Sequence, residues 1–226
     1  MKVNPGGKTP RHISAAEAAA LVKSGDWLDY GVITGQPDVF DAALAARKDE
    51  LEGVKIRNCL SLRPRAVLEA DPEGKHFLWF SWHFSGYDRK KHDAGISHYI
   101  PVNLGEIPDY YRRFNPPVDV AIIKARPMDE NGWFNFGGAN LWHRAVIECA
   151  RTVIIETNPA IPHCEGEMNG VHASEVDFIV EGDGQPPTEL PNSPIGDVDR
   201  AVGRLIANEI EDGACLQIGI GGMPNA

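Results

Sequence analysis

The residues best suited to chemistry lie in a glycine-rich segment at the end of the sequence, which reads LQIGIGGMPNA. Five of its residues are candidates for a binding turn: Gln217, Gly219, Gly221, Gly222 and Pro224. Closely spaced glycines let the main chain approach a ligand and direct N–H groups at a negatively charged atom. Proline suits the first turn of a helix, so a helix is expected to begin here and to add its positive end. We therefore expect one side of an oxyanion or anion site, with the helix supplied by a longer chain.

A second candidate is the aromatic and basic stretch WHFSGYDRKKH at residues 82–92. It follows a predicted strand, and open α/β sheets bind their ligands beyond the carboxyl ends of their strands. His83 is therefore a candidate pocket residue. The alternative is a packed loop whose aromatic residues contact the core and whose basic tip faces solvent.

No residue pattern indicates a metal site or a disulfide framework. Four cysteines are spread along the chain: Cys59, Cys149, Cys164 and Cys215. They contain no CxxC pair, which favours buried, reduced thiols. His163, Cys164 and Glu165 are consecutive, but neighbours on an extended chain point apart, so no shared metal is predicted.

Composition excludes several classes of function. The 226 residues include 22 Lys and Arg against 32 Asp and Glu, giving a net charge of −10, which argues against a nucleic-acid surface. No stretch approaches the roughly 18 apolar residues of a membrane span. The polar start, MKVNPGGK, lacks the apolar core of a signal peptide. We therefore expect a cytoplasmic protein with no nucleic acid and no membrane among its partners.

Helix and strand signals alternate along the chain, which predicts an α/β fold with an open, mostly parallel sheet flanked by helices. Ser14 and Glu17 form a capping box ahead of the first helix. Helices are predicted at residues 15–23, 37–51, 104–114 and 140–150. Strands are predicted at residues 27–33, 54–60, 77–82, 98–102, 118–124 and 152–156.

The composition changes at residues 182–194, which hold four prolines and two glycines and are predicted to be a linker. The predicted domains are thus an N-terminal α/β domain at 1–181 and the start of a second α/β domain at 195–226. In the second, Asp197 is expected to cap a helix at 198–211, and a strand is expected at 214–218. One helix and one strand cannot form a core, so other residues or another chain would complete this domain.

Four ordered motifs resemble one known family, and together they cover most of residues 10–226. The ending QIGIGGMPNA resembles the motif Q-x-G-I-G-x-x-P-x-A. A second motif, VDVAII followed by PMDENG, is similar to VDVALI followed by PPDEHG. The other two, LGEIP and HASEVDFIVE, are similar to L-S-E-I-P and H-V-S-E-I-D-Y-I-V-E. The family is the class I coenzyme A transferases, in the acetyl-CoA hydrolase/transferase branch that includes 4-hydroxybutyrate and butyrate:acetate CoA-transferases.

This resemblance implies ping-pong transfer of coenzyme A between an acyl-CoA and a short-chain acid, with acetate as a donor or acceptor. A glutamate attacks the thioester, and the reaction passes through a glutamyl-CoA thioester. Gly219, Gly221 and Gly222 would supply N–H groups near the developing oxyanion. In the family that glutamate lies one helix and one strand beyond the glycine motif, so the expected nucleophile is beyond Ala226 and no catalytic residue is expected within this chain.

The resemblance also implies a substrate pocket. The turn with Gly35 and Pro37 corresponds to a turn near the family's active site, but Ile33 and Thr34 stand where smaller residues are usual, which leaves the substrate open. Gly138 lies in a second glycine-rich helix entrance, FGGAN at residues 136–140, which either contacts the acyl group or permits close packing.

Several further expectations follow from the resemblance. Coenzyme A or acyl-CoA is expected as substrate, with no tightly bound cofactor. A C-terminal half carrying the glutamate is expected as partner, with a homo-oligomer of the complete unit. Acyl-CoA hydrolysis and a non-catalytic scaffold remain alternatives to transfer.

Overall fold

The computed structural model describes residues 7–189 and 194–226. Residues 1–6, from the polar start, and residues 190–193, from the predicted linker, lie outside the described residues. The chain divides into two compact units, one ending at Thr188 and the other beginning at Glu189.

The first unit is built on an eight-stranded sheet in which every pair of neighbouring strands is parallel. Numbered along the chain and given in spatial order, the strands are β1 (Arg11–His12), β10 (Phe178–Glu181), β8 (Ala150–Thr157), β6 (Val118–Ala125), β2 (Trp27–Val32), β3 (Val54–Cys59), β4 (Phe77–Ser81) and β5 (Ser97–Tyr99). A separate antiparallel pair consists of β7 (Trp133–Asn135) and β9 (Gly170–His172). The predicted α/β fold with an open parallel sheet is confirmed.

Six helices of this unit flank the strands along the chain. They are α1 (Ala15–Ala19), α2 (Val39–Ala45), α3 (Ala66–Ala70), α4 (Gly86–Asp93), α5 (Ile107–Arg113) and α6 (His143–Cys149). Short 3-10 turns lie at Ile33–Gly35, Lys48–Glu50, Leu104–Glu106 and Ala173–Glu175.

The sheet is covered on both faces, which explains its apolar strands. In β6, Ile122 is fully buried and belongs to a core that includes Tyr30 and Phe40. Its neighbour Ile123 points to the other face and belongs to a core with Phe134. Because successive side chains alternate between faces, a strand buried on both sides must be apolar at almost every position.

Most strand predictions are confirmed, whereas the helix predictions are too long. The strands predicted at 27–33, 54–60, 77–82, 118–124 and 152–156 correspond to β2, β3, β4, β6 and β8. The strand predicted at 98–102 is β5, which ends at Tyr99. The helix predicted at 37–51 is interrupted at Arg47, which leaves the helical conformation and donates to the Val22 carbonyl at 3.1 Å.

Most of residues 82–92 form α4 and are not a loop, whereas His83 lies before the helix and stays a candidate pocket residue. Ser85 caps this helix by accepting from the N–H groups of Tyr87 and Asp88, each at 3.1 Å. The Asp88 carboxylate accepts in return from the Ser85 N–H at 2.9 Å. A reciprocal cap of this kind is a helix start signal, although glutamate is more usual than aspartate in the second position.

The second unit contains α7 (Asp197–Ala207). The prediction that Asp197 caps this helix is wrong, because Asp197 is its first residue and Gly196 precedes it. Asp199 accepts from the Gly196 N–H at 2.8 Å. The predicted strand at 214–218 is also absent from the described part of this unit, which offers no second strand to pair with it.

Among the described helices, none has both the length and the apolar character needed to cross a membrane.

Asp88 links the loops that follow β3 and β4, and its replacement should destabilise the protein. Its buried carboxylate accepts from the N–H groups of Ser61 at 3.0 Å and Ser85 at 2.9 Å. Both of these N–H groups donate to one oxygen, Oδ2, and Trp79 Nε1 donates to the other at 3.3 Å. In Asp88→Asn the amide NH2 would replace one of the two oxygens and face an N–H donor in either orientation, so we expect the free energy of unfolding to fall by about 2 kcal/mol. Asp93→Asn, an exposed change on the same helix, is the control for urea unfolding and should stay within about 0.5 kcal/mol of the original protein. Equal effects of the two changes would contradict this role of Asp88.

Candidate functional site

The carboxyl edge of the parallel sheet holds a small polar cavity of about 20 Å³, room for about one water molecule. Residues that follow β2, β3 and β8 line it, together with Lys124 near the end of β6 and the segment after β10. The lining residues are Ile33, Thr34, Gln36, Asp38, Leu62, Arg63, Arg65, Lys124, Asn158, Ile161, Gln185, Pro187 and Thr188. This is the edge at which open α/β sheets place ligands.

Asp38, just before α2, is surrounded by three cations. Lys124 at the end of β6 donates to its carboxylate, and Arg65 and Arg63 lie 2.9 and 3.2 Å away. Burial alone would raise the pKa of Asp38, but Lys124 and Arg65 lower the pKa below its usual value. Asp38 therefore stays ionised and connects the starts of α2 and α3 to β6.

Glu156 in β8 is a fully buried carboxylate that binds the start of α2. It accepts from the N–H groups of Asp38 at 2.7 Å and Phe40 at 2.9 Å. Lys124 Nζ lies 3.9 Å from its nearer oxygen. Burial raises the pKa of Glu156, opposed by these N–H groups and by Lys124. The side chain thus supplies partners for N–H groups that no preceding turn of the helix can satisfy.

Arg63 and Asn158 hold the segment after β10 against this edge. Arg63 donates to Thr188 Oγ1 at 2.7 Å and to the Pro186 carbonyl. Asn158 donates to the Gln185 carbonyl at 2.8 Å. Arg63, Arg65 and Lys124 thus face Asp38 and Glu156 in this cluster, and Arg65 also interacts with the buried carboxylate of Asp41.

Two neighbouring strands end in residues with left-handed backbone conformations. Ile33 after β2 has φ 52° and Leu60 after β3 has φ 54°. Their preceding residues, Val32 and Cys59, are paired in register, so the two strained residues lie side by side. A β-branched residue in this region is unusual, and such strain clusters at functional sites.

The structure brings two of the predicted pocket segments together. Gly35 is buried, and a Cβ built on it would lie 3.6 Å from Ala139 Cβ. Gly138, beside it, is exposed, and a Cβ there would meet nothing within 4 Å. Close packing therefore does not explain a glycine at 138. Pro37 is buried, and its carbonyl accepts from Arg65 at 2.9 Å.

His83 lies in a different place, at an apolar cleft of about 210 Å³ over the ends of β3, β4 and β5. Its side chain is exposed. Its carbonyl accepts from the Leu60 N–H at 2.8 Å, which joins the loops after β3 and β4.

The predicted glycine turn lies in the second unit, in a bent segment without strand structure. Gln217, Gly219 and Pro224 line a groove of about 410 Å³ together with α7. Gly221 has φ 144°, a conformation that favours glycine. Within the described part of this unit, the N–H groups of Gly219, Gly221 and Gly222 donate to no main-chain carbonyl.

His143 is a buried residue of this edge that the sequence analysis did not single out. Its ring stacks on Phe136 with centroids 4.8 Å apart. Nδ1 accepts from the Leu141 N–H at 3.4 Å, and Nε2 has no hydrogen-bond partner among the described residues. Burial lowers its pKa to about 3, so the ring is neutral with its proton on Nε2. A Cβ built on Gly31 or Gly35 would lie 3.3 or 3.5 Å from Nε2. Nε2 therefore faces the turn after β2. No motif marks His143, and only its helix-start position could have drawn attention to it.

Comparison with known proteins gives one family for most of the chain. The family described as Acetyl-CoA hydrolase/transferase N-terminal domain matches residues 9–190. That range contains β1 to β10 and the polar cavity.

Similar proteins include two CoA-transferases. The butyryl-CoA:acetate CoA-transferase of Anaerostipes caccae is 46% identical over 94% of this chain and 48% of its own length. The succinyl-CoA:cyclohexane-1-carboxylate CoA transferase of Geobacter metallireducens is 40% identical, again over 94% and 48%. The crystal structure of RipA from Yersinia pestis is 25% identical with a TM-score of 0.83, covering 95% of this chain and 52% of that one. The chain thus spans about half the length of the curated relatives it matches.

Protonation of His143 should destabilise the protein at acidic pH. Its folded pKa lies below the usual 6.5, so between about pH 3 and 6.5 the unfolded chain binds the extra proton and stability falls as pH falls. Going from pH 7 to pH 5, the protein should lose about 2 kcal/mol of unfolding free energy relative to His143→Gln.

The comparison with His143→Gln separates the effect of His143 from that of Asp41. Burial raises the pKa of Asp41 to about 6, so Asp41 makes the protein more stable as the pH falls, which is the opposite of the effect of His143. Urea unfolding at the two pH values measures it, with His83→Gln, at an exposed histidine, as the control. Parallel pH profiles for the original protein and His143→Gln would show that residue 143 is not a buried neutral histidine.

Proposed function

Because this chain belongs to the acetyl-CoA hydrolase/transferase family, we propose that it is the N-terminal part of an enzyme that transfers coenzyme A between an acyl-CoA and a short-chain carboxylic acid. Acetate is proposed as one of the acids. The observation that carries the proposal is the family match. The glycine turn adds support, because the N–H groups of its three glycines donate to no main-chain carbonyl among the described residues of the second unit.

The proposed reaction has two half-reactions that share one glutamate, placed outside residues 1–226. Its carboxylate attacks the acyl-CoA carbonyl carbon, and the C–S bond breaks to give an acyl-glutamyl anhydride and CoA thiolate. The thiolate attacks the glutamyl carbonyl of the anhydride, releasing the first acid and leaving a glutamyl-CoA thioester. An incoming carboxylate then repeats these steps in reverse, so that CoA leaves on the new acyl group and the glutamate is regenerated.

Each addition places negative charge on a carbonyl oxygen, and the glycine turn is proposed to stabilise it. A carboxylate is a weak nucleophile towards a thioester, so positioning and oxyanion stabilisation must supply much of the acceleration. Gly219, Gly221 and Gly222 are the proposed donors. Gln217 and Pro224 would fix the two ends of this turn.

The carboxyl edge of the first unit is proposed to form part of the substrate pocket. Gly35, Pro37 and Gly138 stay candidates there, with Ile33 as a bulky residue that limits the acyl group.

The second unit is proposed to be completed by a C-terminal half that carries the glutamate. Its large exposed apolar side chains would be covered in that arrangement; among them are Leu205 (69% exposed), Ile206 (50%) and Ile218 (70%). Scattered apolar residues are normal on a surface, but several on one helix and the following segment indicate a missing neighbour. The complete unit is further proposed to be a cytoplasmic homo-oligomer without a tightly bound cofactor.

The test is the fate of acetyl-CoA mixed with butyrate and the full-length protein. We expect butyryl-CoA and free acetate to form in equal amounts. Free CoA without butyryl-CoA would contradict transfer and indicate a hydrolase. No consumption of acetyl-CoA would indicate a scaffold.

Gly221→Ala should slow this transfer. Alanine rarely adopts φ 144°, so the turn would shift and misplace its N–H groups. Loss of one oxyanion donor lowers kcat about 100-fold or more. Gly213→Ala is the matched control, because Gly213 also has a positive φ, 85°, and lies outside the glycine motif. Steady-state kinetics in which both variants lose activity alike would contradict a special role for the turn.

A further inference from the structure

We propose that the apolar cleft beside His83 binds the ring of an aromatic monocarboxylic acid, the benzoate class, as an acyl group accepted by this protein. The proposal rests on the proposed transfer of coenzyme A. It adds the substrate class and the place in the first unit where that class is selected.

The cleft has the size and the lining that an aromatic ring needs. Its volume is about 210 Å³, more than the roughly 150 Å³ of an engineered apolar cavity that binds benzene. Trp82, Tyr99 and Trp142 supply aromatic faces and edges, which pair favourably with a ring in tilted or edge-on geometry.

One side of the cleft is fixed before any ligand binds. Trp82 Nε1 donates to Tyr111 Oη at 3.2 Å, and the ring lies 6.4 Å from Trp142 at 72°. Trp82 and Trp142 are 5% and 3% exposed. The other side is open, because Tyr99 and Leu104 are 52% and 57% exposed. A fixed aromatic side and an open side are what a planar ligand needs to enter and stack.

The groups of the cleft that could meet a second charged group, the His83 ring and the Tyr99 hydroxyl, belong to exposed side chains and not to the closed side formed by Trp82 and Trp142. The side chains that line the cleft include no carboxylate, lysine or arginine. Burial raises the pKa of the Cys59 thiol to about 12, so this group stays neutral. A second carboxylate held against the closed side, at Trp82 and Trp142, would be buried without a charged partner, which is unfavourable. The closed side of the cleft therefore favours monocarboxylic acids.

The cleft also adjoins the edge where the acid group would react. Cys59 lines it, and its register partner Val32 leads into the turn with Ile33. Ile33 and Leu60 pack against the same apolar cluster as Trp82 and Trp142. A ring in the cleft can thus direct its carboxylate towards the turn after β2.

The experiment measures kcat/KM of the full-length protein with acetyl-CoA as donor and four acceptors: butyrate, propionate, benzoate and terephthalate. We expect benzoate to be accepted and terephthalate, its dicarboxylate analogue, to be at least about tenfold poorer. Leu104→Trp narrows the open side and should lower kcat/KM for benzoate at least about tenfold while changing that for propionate less than twofold. Phe114→Trp, an exposed apolar residue outside the cleft lining, is the control.

The outcomes separate this inference from the proposed function. If butyrate or propionate is converted but benzoate is not, the aromatic site is refuted and CoA transfer stands. The same holds if Leu104→Trp and Phe114→Trp change kcat/KM for benzoate by the same factor. If no acid is converted, the proposed function fails, and with it this inference. Circular dichroism melting checks that both variants are folded, which their exposed positions favour.

Discussion

The carboxyl edge of the sheet depends on the buried ionic contact of Lys124 with Asp38 and Glu156. Each of these residues comes from a different part of the chain, at β6, before α2 and in β8. Buried charges are costly unless they are paired and hydrogen-bonded. Here Asp38 has Lys124 and Arg65, and Glu156 has the N–H groups of α2. The arrangement therefore fixes where α2 starts and, with it, the turn that precedes it.

That fixed turn explains two unusual features of this edge, the left-handed backbone of Ile33 and the neutral buried ring of His143. Ile33 keeps an unfavourable backbone conformation because the strand before it and the helix after it are both held. His143 stays neutral behind the same turn because burial removes the solvent that would stabilise its charge. The first unit thus presents an apolar edge with a cluster of paired charged groups.

The sequence predicted the fold well wherever one local signal decided the structure. The apolar run of β6 and the Ser14–Glu17 box are examples, since a doubly covered strand and a capped helix have distinct patterns. Prediction failed where distant residues decide. A strand at 214–218 needs a neighbour that the described second unit does not offer. The interruption of the helix at Arg47 accompanies a contact with the Val22 carbonyl, 25 positions earlier.

The residues of the candidate site likewise fall into those that a local sequence pattern marks and those that only the folded chain brings together. Glycine-rich turns made Gly35 and the turn around Gly221 candidates, because such turns are encoded locally, and their roles stay predictions. The ionic cluster could not be predicted from the sequence, since Asp38, Lys124 and Glu156 are separated by many residues. Charged residues are usually exposed, so no single one of the three predicts a buried contact. His143 was missed because only tertiary burial makes it unusual.

The most direct test of this account is a double-mutant cycle between Lys124→Met and Asp38→Asn, read as the free energy of unfolding. Breaking a buried pair leaves an uncompensated charge, so we expect a coupling energy of about 2 kcal/mol. The same cycle with Arg113→Met and Asp109→Asn, an exposed pair on α5, should give about 0.5 kcal/mol or less. A coupling at Lys124 and Asp38 no larger than at this exposed pair would contradict the claim that the buried contact organises the edge.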